Sequence, residues 1–321
     1  EPHFVLPRMI VEFDSPNGVD PHTTTISELD DAFAKFKKVA TSFGQIKKIA
    51  ISSRTWGESM INIMKIFPDA TIVNAETIVN KLRRIKSEQE IGLMTRACHL
   101  VDGVLSNVKD KVNVGVTELD LKTEINFQMN NLGSKTESFD TAVWSMGPKN
   151  NRDASDRRTS NPLTSDMGVS FDFGSVINGY CSDFGRTIHV GNPDKDYEFV
   201  YNLVMQAQAA GIAAVKPGVK FLEINRAAQR VLAQGLADMG VLTVSAEESL
   251  KPEVGLHRRW TLHGVSHHLG LDVHDCAQAR KEMYLDAPLR EGMVLTVEPG
   301  LYIQPDDELF APEYRGIGIR I

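Results

Sequence analysis

The run Phe171-Asp-Phe-Gly-Ser-Val-Ile-Asn-Gly-Tyr-Cys-Ser-Asp183 sets its own strand register. Asn178-Gly179 is a strong signal for a two-residue β-hairpin loop, because a type I′ turn requires positive φ at both central residues. Such a loop places 177 opposite 180, 176 opposite 181 and 174 opposite 183. Asp172 then shares a face with Asp183 and is its diagonal neighbour. Diagonal Cβ atoms across a strand pair lie roughly 7–8 Å apart or less. Two carboxylates held so close repel each other unless a cation lies between them, so the pair predicts a metal site.

Further ligand types follow along the chain. His263-Gly-Val-Ser-His267-His268-Leu-Gly-Leu-Asp-Val-His274 places four imidazoles within twelve residues, and Val297-Glu298-Pro299-Gly300 comes after it. A site made of carboxylates and imidazole suits divalent ions, and an oxygen-rich set favours hard ions such as Mn²⁺ over a thiolate zinc site. A single histidine is more often structural. The combination of paired aspartates, a histidine cluster and a Glu-Pro-Gly strand end is what carries the inference.

Asp172-Phe-Gly with Asp183 and Gly185-Arg-Thr187, His263-Gly-Val-Ser-His267 running into Gly270-Leu-Asp-Val-His274-Asp275, Val294-Leu-Thr-Val-Glu298-Pro-Gly-Leu-Tyr302 and Gly316-Ile-Gly-Ile-Arg320-Ile321 together resemble the pita-bread metallopeptidases. The Xaa-Pro aminopeptidase and prolidase branch is the nearest. The resemblance implies an α+β fold, a creatinase/aminopeptidase-like catalytic domain of two pseudo-twofold α/β halves over 86–321. A smaller N-terminal α/β domain over 1–85 would precede it, shorter than its counterpart in longer members. It implies two divalent ions, most simply Mn²⁺ with Co²⁺, Fe²⁺ or Zn²⁺ as substitutes, held by Asp172, Asp183, His267 and Glu298. A fifth ligand, a glutamate, would directly follow Ile321.

The implied activity is hydrolysis of the peptide bond in N-terminal Xaa-Pro sequences by metal-activated water. Glu298 would take the water's proton, His274 would donate a hydrogen bond to the tetrahedral intermediate, and His263 would contact the peptide. Arg320 and Tyr302 would hold ligands and histidines in place, and His268 would stand in the cleft wall. Two other readings stay open. One is a hydrolase or lyase of this fold acting on a small non-peptide molecule, since fold does not fix function. The other is a metal-free peptide-binding relative. One segment departs from the aminopeptidase pattern: Ser155 stands where those relatives carry a histidine. The polar run around it reads as a solvated loop, or as a substrate loop in which Arg157 or Arg158 pairs with a carboxylate.

Composition narrows the partners. A net charge of −7 argues against nucleic acid, and no apolar run reaches the eighteen or so residues of a membrane span. Glu1-Pro-His-Phe shows no signal-peptide pattern, and three cysteines without a CxxC pair read as reduced thiols, so a cytoplasmic protein is expected. Cys181 and Cys276 read as packing residues. A small peptide is the expected partner, and the resemblance admits a homodimer.

Local patterns place the elements. Residues 46–53 and 70–74 read as strands flanking a helix over 56–67, an α/β alternation. Lys81–Lys86 reads as a solvated linker. Ser87-Glu-Gln-Glu90 has capping-box spacing and opens a helix with Ile91, Met94, Ala97 and Cys98 on one face. A second helix runs from Thr117 to before Gly133. Gly115-Val-Thr-Glu-Leu119-Asp-Leu121 returns as Gly218-Val-Lys-Phe-Leu222-Glu-Ile224, each copy between helices, which fits an internal duplication.

Overall fold

The Asn178-Gly179 turn forms as its residues require. Both hold positive φ, 47° and 88°, and the ladder pairs Ile177 with Tyr180 and Val176 with Cys181. The computed structural model describes residues 3–14, 21–147, 160, 162–276 and 285–321. The chain divides into two compact units, Glu1–Val79 and Asn80–Ile321.

The first unit contains β1 (Phe4–Pro7), α1 (Arg8–Asp14), β2 (Thr23–Ile26), α2 (Ala32–Ser42), β3 (Lys48–Ile51), α3 (Gly57–Ile66), β4 (Thr71–Asn74) and the start of α4 (Glu76–Arg83). β1 pairs in parallel with β2, and β3 with β4. A parallel pair needs a crossover rather than a hairpin, and α3 supplies it for β3 and β4. Ile49 and Ile51 are less exposed than Lys48 and Ala50, the period of a half-buried strand.

The second unit opens with α5 (Glu88–Val108), which both arms of the Ser87–Glu90 capping box start. It buries Met94, Ala97, Leu100, Val101, Val104 and Val108, while Ile91 is 38% exposed. Met94 and Ala97 of the expected face are thus buried, Cys98 is half-buried, and Ile91 in the first turn is exposed. α6 (Glu118–Asn131) begins at a Thr117–Asp120 capping box and ends before Gly133, whose φ of 100° only glycine adopts freely. These helices cover an antiparallel sheet of β5 (Ala142–Met146), β6 (Met167–Phe173) and β9 (Phe184–Val190), with the short ribbon of β7 (Val176–Ile177) and β8 (Tyr180–Cys181) extending from it. Ile125, Val169, Phe171 and Phe173 fill the core between them.

The second half repeats the plan. α7 (Lys195–Ala214) and α8 (Leu222–Asp238) pack together, followed by the short α9 (Ala246–Ser249). α7 and α8 share with β10 (Gly300–Tyr302) and β11 (Gly318–Arg320), an antiparallel pair, a core of Val204, Leu232, Leu301, Ile303 and Ile319. The Gly115 and Gly218 motifs occupy matching places. Gly115 N–H donates to Leu163 O at 2.9 Å and Leu163 N–H to Val116 O at 2.7 Å; Gly218 N–H donates to Leu289 O at 2.8 Å and Leu289 N–H to Val219 O at 2.7 Å. Thr117 bridges Pro162, and Lys220 bridges Pro288. Both glycines hold φ near +90°. The weak sequence repeat is thus a repeat of backbone hydrogen bonding.

Lys86 is not the solvated linker residue that its basic neighbourhood suggests. Its side chain is 1% exposed, with Nζ 3.0 Å from Asp275 Oδ2, and Arg83 joins Asp275 and Asp272. A buried ammonium needs such a partner, and the loop after His274 provides it.

Candidate metal centre

Two antiparallel pairings, one from each half, deliver the ligand-type side chains. In the first half Asp172 pairs with Gly185, and the register continues through Val176 and Cys181, so Asp183 sits two positions along from Asp172's partner. In the second, Glu298 N–H donates to Val265 O at 2.8 Å and Thr296 N–H to His267 O at 2.9 Å. Glu298 therefore faces Val265, and His267 lies two residues on. Each half presents one diagonal pair on one face of a ladder.

The two pairs meet. His267 Nε2 is 3.1 Å from Asp183 Oδ2 and 2.9 Å from Glu298 Oε1, with all three side chains 6–13% exposed. Ligand atoms of Asp183, His267 and Glu298 lie within 4.8 Å of one another. Asp172 is not one of these three; its Oδ2 accepts a hydrogen bond from Arg320, whose other Nη donates to Glu298 Oε2. Arg320 thus ties a carboxylate of the first half to one of the second. Thr187 fixes Arg320 in turn, its hydroxyl donating to Arg320 O at 2.9 Å and accepting from Arg320 N–H at 3.0 Å.

Crowded charge shifts these groups in opposite directions. Burial pushes the Asp172 carboxyl up to about 6, with Arg320 pulling it down and Asp183 and Glu298 adding to the rise. Burial would also raise Glu298, but His267, Arg320 and the Thr296 hydroxyl outweigh it and hold that carboxyl at about 2. Burial disfavours a charged His267, yet contact with Asp183 and Glu298 raises it to about 10.

The residues fit a divalent ion. Asp172 Oδ1 is buried with no hydrogen-bond partner among the described residues. The set of three carboxylates and one imidazole, without a thiolate, matches a hard cation. Cys181 and Cys276 are buried, and burial pushes their thiols up to about 11 and about 12.

The remaining histidines divide. His263 Nε2 is 2.8 Å from Tyr302 Oη, and burial lowers its pKa. The His274 ring stands edge-on to His267 with centroids 4.4 Å apart. His268 is not in a cleft wall: it is 1% exposed and stacks on Phe221 at 5.2 Å, and burial pushes its pKa down to about 3. Strand alternation explains this, since His268 points to the opposite face from His267. Ser155, Arg157 and Arg158 lie outside the described residues.

Thr187 and Thr296 are functional neighbours that the sequence pattern does not single out. Thr296 accepts the His267 N–H at 3.1 Å and donates to Glu298 Oε1 at 3.0 Å. The strand period could have exposed it, because 296 shares a face with 298. Nothing in the sequence pairs Thr187 with a strand that follows it at such distance.

Comparison with known proteins agrees with this geometry. Residues 92–321 match the family described as metallopeptidase family M24. Over 258 residues the chain is 33% identical to an Xaa-Pro aminopeptidase of Escherichia coli, covering 78% of this chain and 56% of that protein. Xaa-Pro aminopeptidase 1 of Streptomyces coelicolor is 52% identical over 143 residues, 44% of this chain and 29% of that protein. The chain therefore spans between about a third and about half of the length of these relatives. Aminopeptidase PepP of Pseudomonas aeruginosa superposes with a TM-score of 0.84 at 22% identity, over 99% of this chain and 75% of that one. A variant of Escherichia coli aminopeptidase P in complex with substrate gives 0.81 at 25% identity, over the same 99% and 75%. The fold is the pita-bread fold. By sequence match across most of its length, and by a fold that brings the paired carboxylates and imidazole together, the chain belongs to metallopeptidase family M24.

Proposed function

We propose that this protein is a metal-dependent exopeptidase that cleaves N-terminal Xaa-Pro peptide bonds, as an aminopeptidase or a dipeptidase. The observation that carries the reading is the convergence of Asp183, His267 and Glu298 within 4.8 Å, with Asp172 beside them. Relatives named Xaa-Pro aminopeptidase and Xaa-Pro dipeptidase support the substrate class.

Asp172, Asp183, His267 and Glu298 would hold two divalent ions, with Mn²⁺ the ion that best suits the donors. The β10–β11 register pairs Gly300 with Arg320, and Ile321 N–H donates to Pro299 O at 3.3 Å, so the final strand runs alongside Glu298. Bound ions would lower the pKa of a water and polarise the scissile carbonyl. Glu298 would hold the proton taken from that water. Thr296 fixes the rotation of its carboxylate through Oε1, and Arg320 through Oε2. His263, its pKa lowered by burial, donates from Nδ1 to Gly264 O at 2.9 Å and accepts at Nε2 from the Tyr302 hydroxyl at 2.8 Å, so a peptide group that met the ring would replace one of these two partners. His274, its pKa lowered first by burial and then by the adjacent His267, would donate a hydrogen bond to developing negative charge. Retention of all four ligand types argues against a metal-free binding role.

The test is turnover of Xaa-Pro dipeptides and of longer Xaa-Pro peptides by the Mn²⁺-loaded protein. Release of the first residue supports the reading and the two substrate lengths separate dipeptidase from aminopeptidase. Metal-loaded protein that cleaves neither overturns it.

A further inference from the structure

A groove of about 660 Å³ leads away from His263 between α8 and the segment around Arg258. Its walls include Asn225, Arg226, Gln229, Arg230, Arg258 and His263. We propose that this groove binds a carboxylate of the substrate peptide on the C-terminal side of the scissile bond. The proposal rests on the exopeptidase reading above and names a substrate class for it.

Charge is the first argument. Three guanidinium groups face the groove, and the carboxylate near them is Glu223, bonded to Arg226 and 3.9 Å from Arg230. Arg258 has no carboxylate partner among the described residues. Its aliphatic stem lies over Gly255, where an added Cβ would come 3.3 Å from Arg258 Cδ. The wall is therefore net positive, and a planar guanidinium fork matches a carboxylate.

The second argument is an unmet hydrogen-bonding demand. Gln229 is 7% exposed, yet its Oε1 is buried without a hydrogen-bond partner. A buried polar atom without a partner costs free energy, so such a group in a cavity wall points to a ligand that is polar there. Rotation of the amide would present its NH₂ to an acceptor instead. Asn225 Oδ1 accepts from Val265 N–H at 3.1 Å, which leaves its NH₂ as a donor at the same wall.

Continuity supplies the direction. His263 belongs both to this groove and, through Tyr302, to the surroundings of the metal ligands. An enzyme that removes one residue from an N-terminus leaves every further residue on the C-terminal side. A groove running on from the scissile bond is where that chain extends.

Four peptide amides, Ala-Pro-Asp-Ala, Ala-Pro-Asn-Ala, Ala-Pro-Ala-Asp and Ala-Pro-Ala-Ala, and the free acid of the last, distinguish a side-chain carboxylate from a terminal one. With Mn²⁺-loaded protein, at least one acid-bearing peptide should show kcat/KM about tenfold or more above its neutral counterpart, mainly through KM, as a charge-assisted hydrogen bond provides. Arg258→Ala should abolish that preference while leaving kcat/KM for the neutral Ala-Pro-Ala-Ala amide, which offers the groove no carboxylate, unchanged, and Arg258→Lys should restore part of it. Equal kcat/KM for acidic and neutral peptides, or a preference that survives Arg258→Ala combined with Arg226→Ala, overturns the groove proposal and leaves the peptidase reading standing. Absence of any turnover removes both.

Discussion

Asp183 Oδ2 lies 3.1 Å from His267 Nε2, although the two residues come from different halves of the catalytic unit. Without a metal the imidazole joins Arg320 as a cation of this cluster, its pKa raised to about 10 by Asp183 and Glu298 against the effect of burial. A bound divalent ion requires the neutral ring. Metal uptake near neutral pH should therefore release a proton, and apparent affinity should rise about tenfold per pH unit towards that pKa. Calorimetric titration in buffers of different ionisation enthalpy reads the proton directly. A binding heat independent of buffer would contradict it.

Asp183→Ala removes a carboxylate that closes the metal group, whereas His274→Ala removes a ring that only abuts His267. The first variant should lose most bound metal; the second should retain metal and lose rate by roughly 10²-fold or more, as expected for a lost transition-state hydrogen bond. Elemental analysis of dialysed protein beside kcat separates them. Equal metal loss in both would dissolve the distinction.

Thr187→Val keeps the shape of a β-strand side chain but deletes the hydroxyl that serves both the N–H and the carbonyl of Arg320 and contacts Ser170 Oγ at 2.8 Å. Leaving those buried groups unpaired should cost about 1–3 kcal/mol in unfolding free energy. Because Arg320 bridges Asp172 and Glu298, metal affinity should fall as well. Unchanged denaturant midpoint and metal affinity would show that Thr187 is dispensable.

Lys86→Met breaks a pair in which both side chains are 1% exposed. Arg83 still reaches Asp275, so the loss should sit near the lower end for a broken buried ion pair, about 3 kcal/mol. Thermal or chemical unfolding measures it. A variant as stable as the parent would mean that the apolar replacement packs as well as the ammonium.

His257 is buried with its ring Nδ1 2.9 Å from Ser249 O, and burial depresses its pKa below the ordinary value. The unfolded chain then binds the proton first. This contribution to stability is complete above the unfolded pKa of roughly 6.5 and declines as pH falls below it. His257→Gln should flatten the pH dependence of Tm on that acid side. An identical slope in parent and variant would assign the acid sensitivity elsewhere.

The local rules in this chain were readable from its residues. Asn178-Gly179 dictated a turn and with it the register that puts Asp172 and Asp183 on one face, because turn chemistry and strand period act over neighbouring residues. Ser87, Thr117 and Gly133 likewise marked helix ends by the hydrogen bonds and φ values those ends need. Tertiary structure alone decided what long-range packing decides. Lys86 is buried against Asp275, His268 turns inward onto Phe221, and Thr187 holds Arg320 between two carboxylates. A side chain's partner across the fold depends on how two halves meet, and neither composition nor periodicity encodes that meeting in a form one sequence reveals.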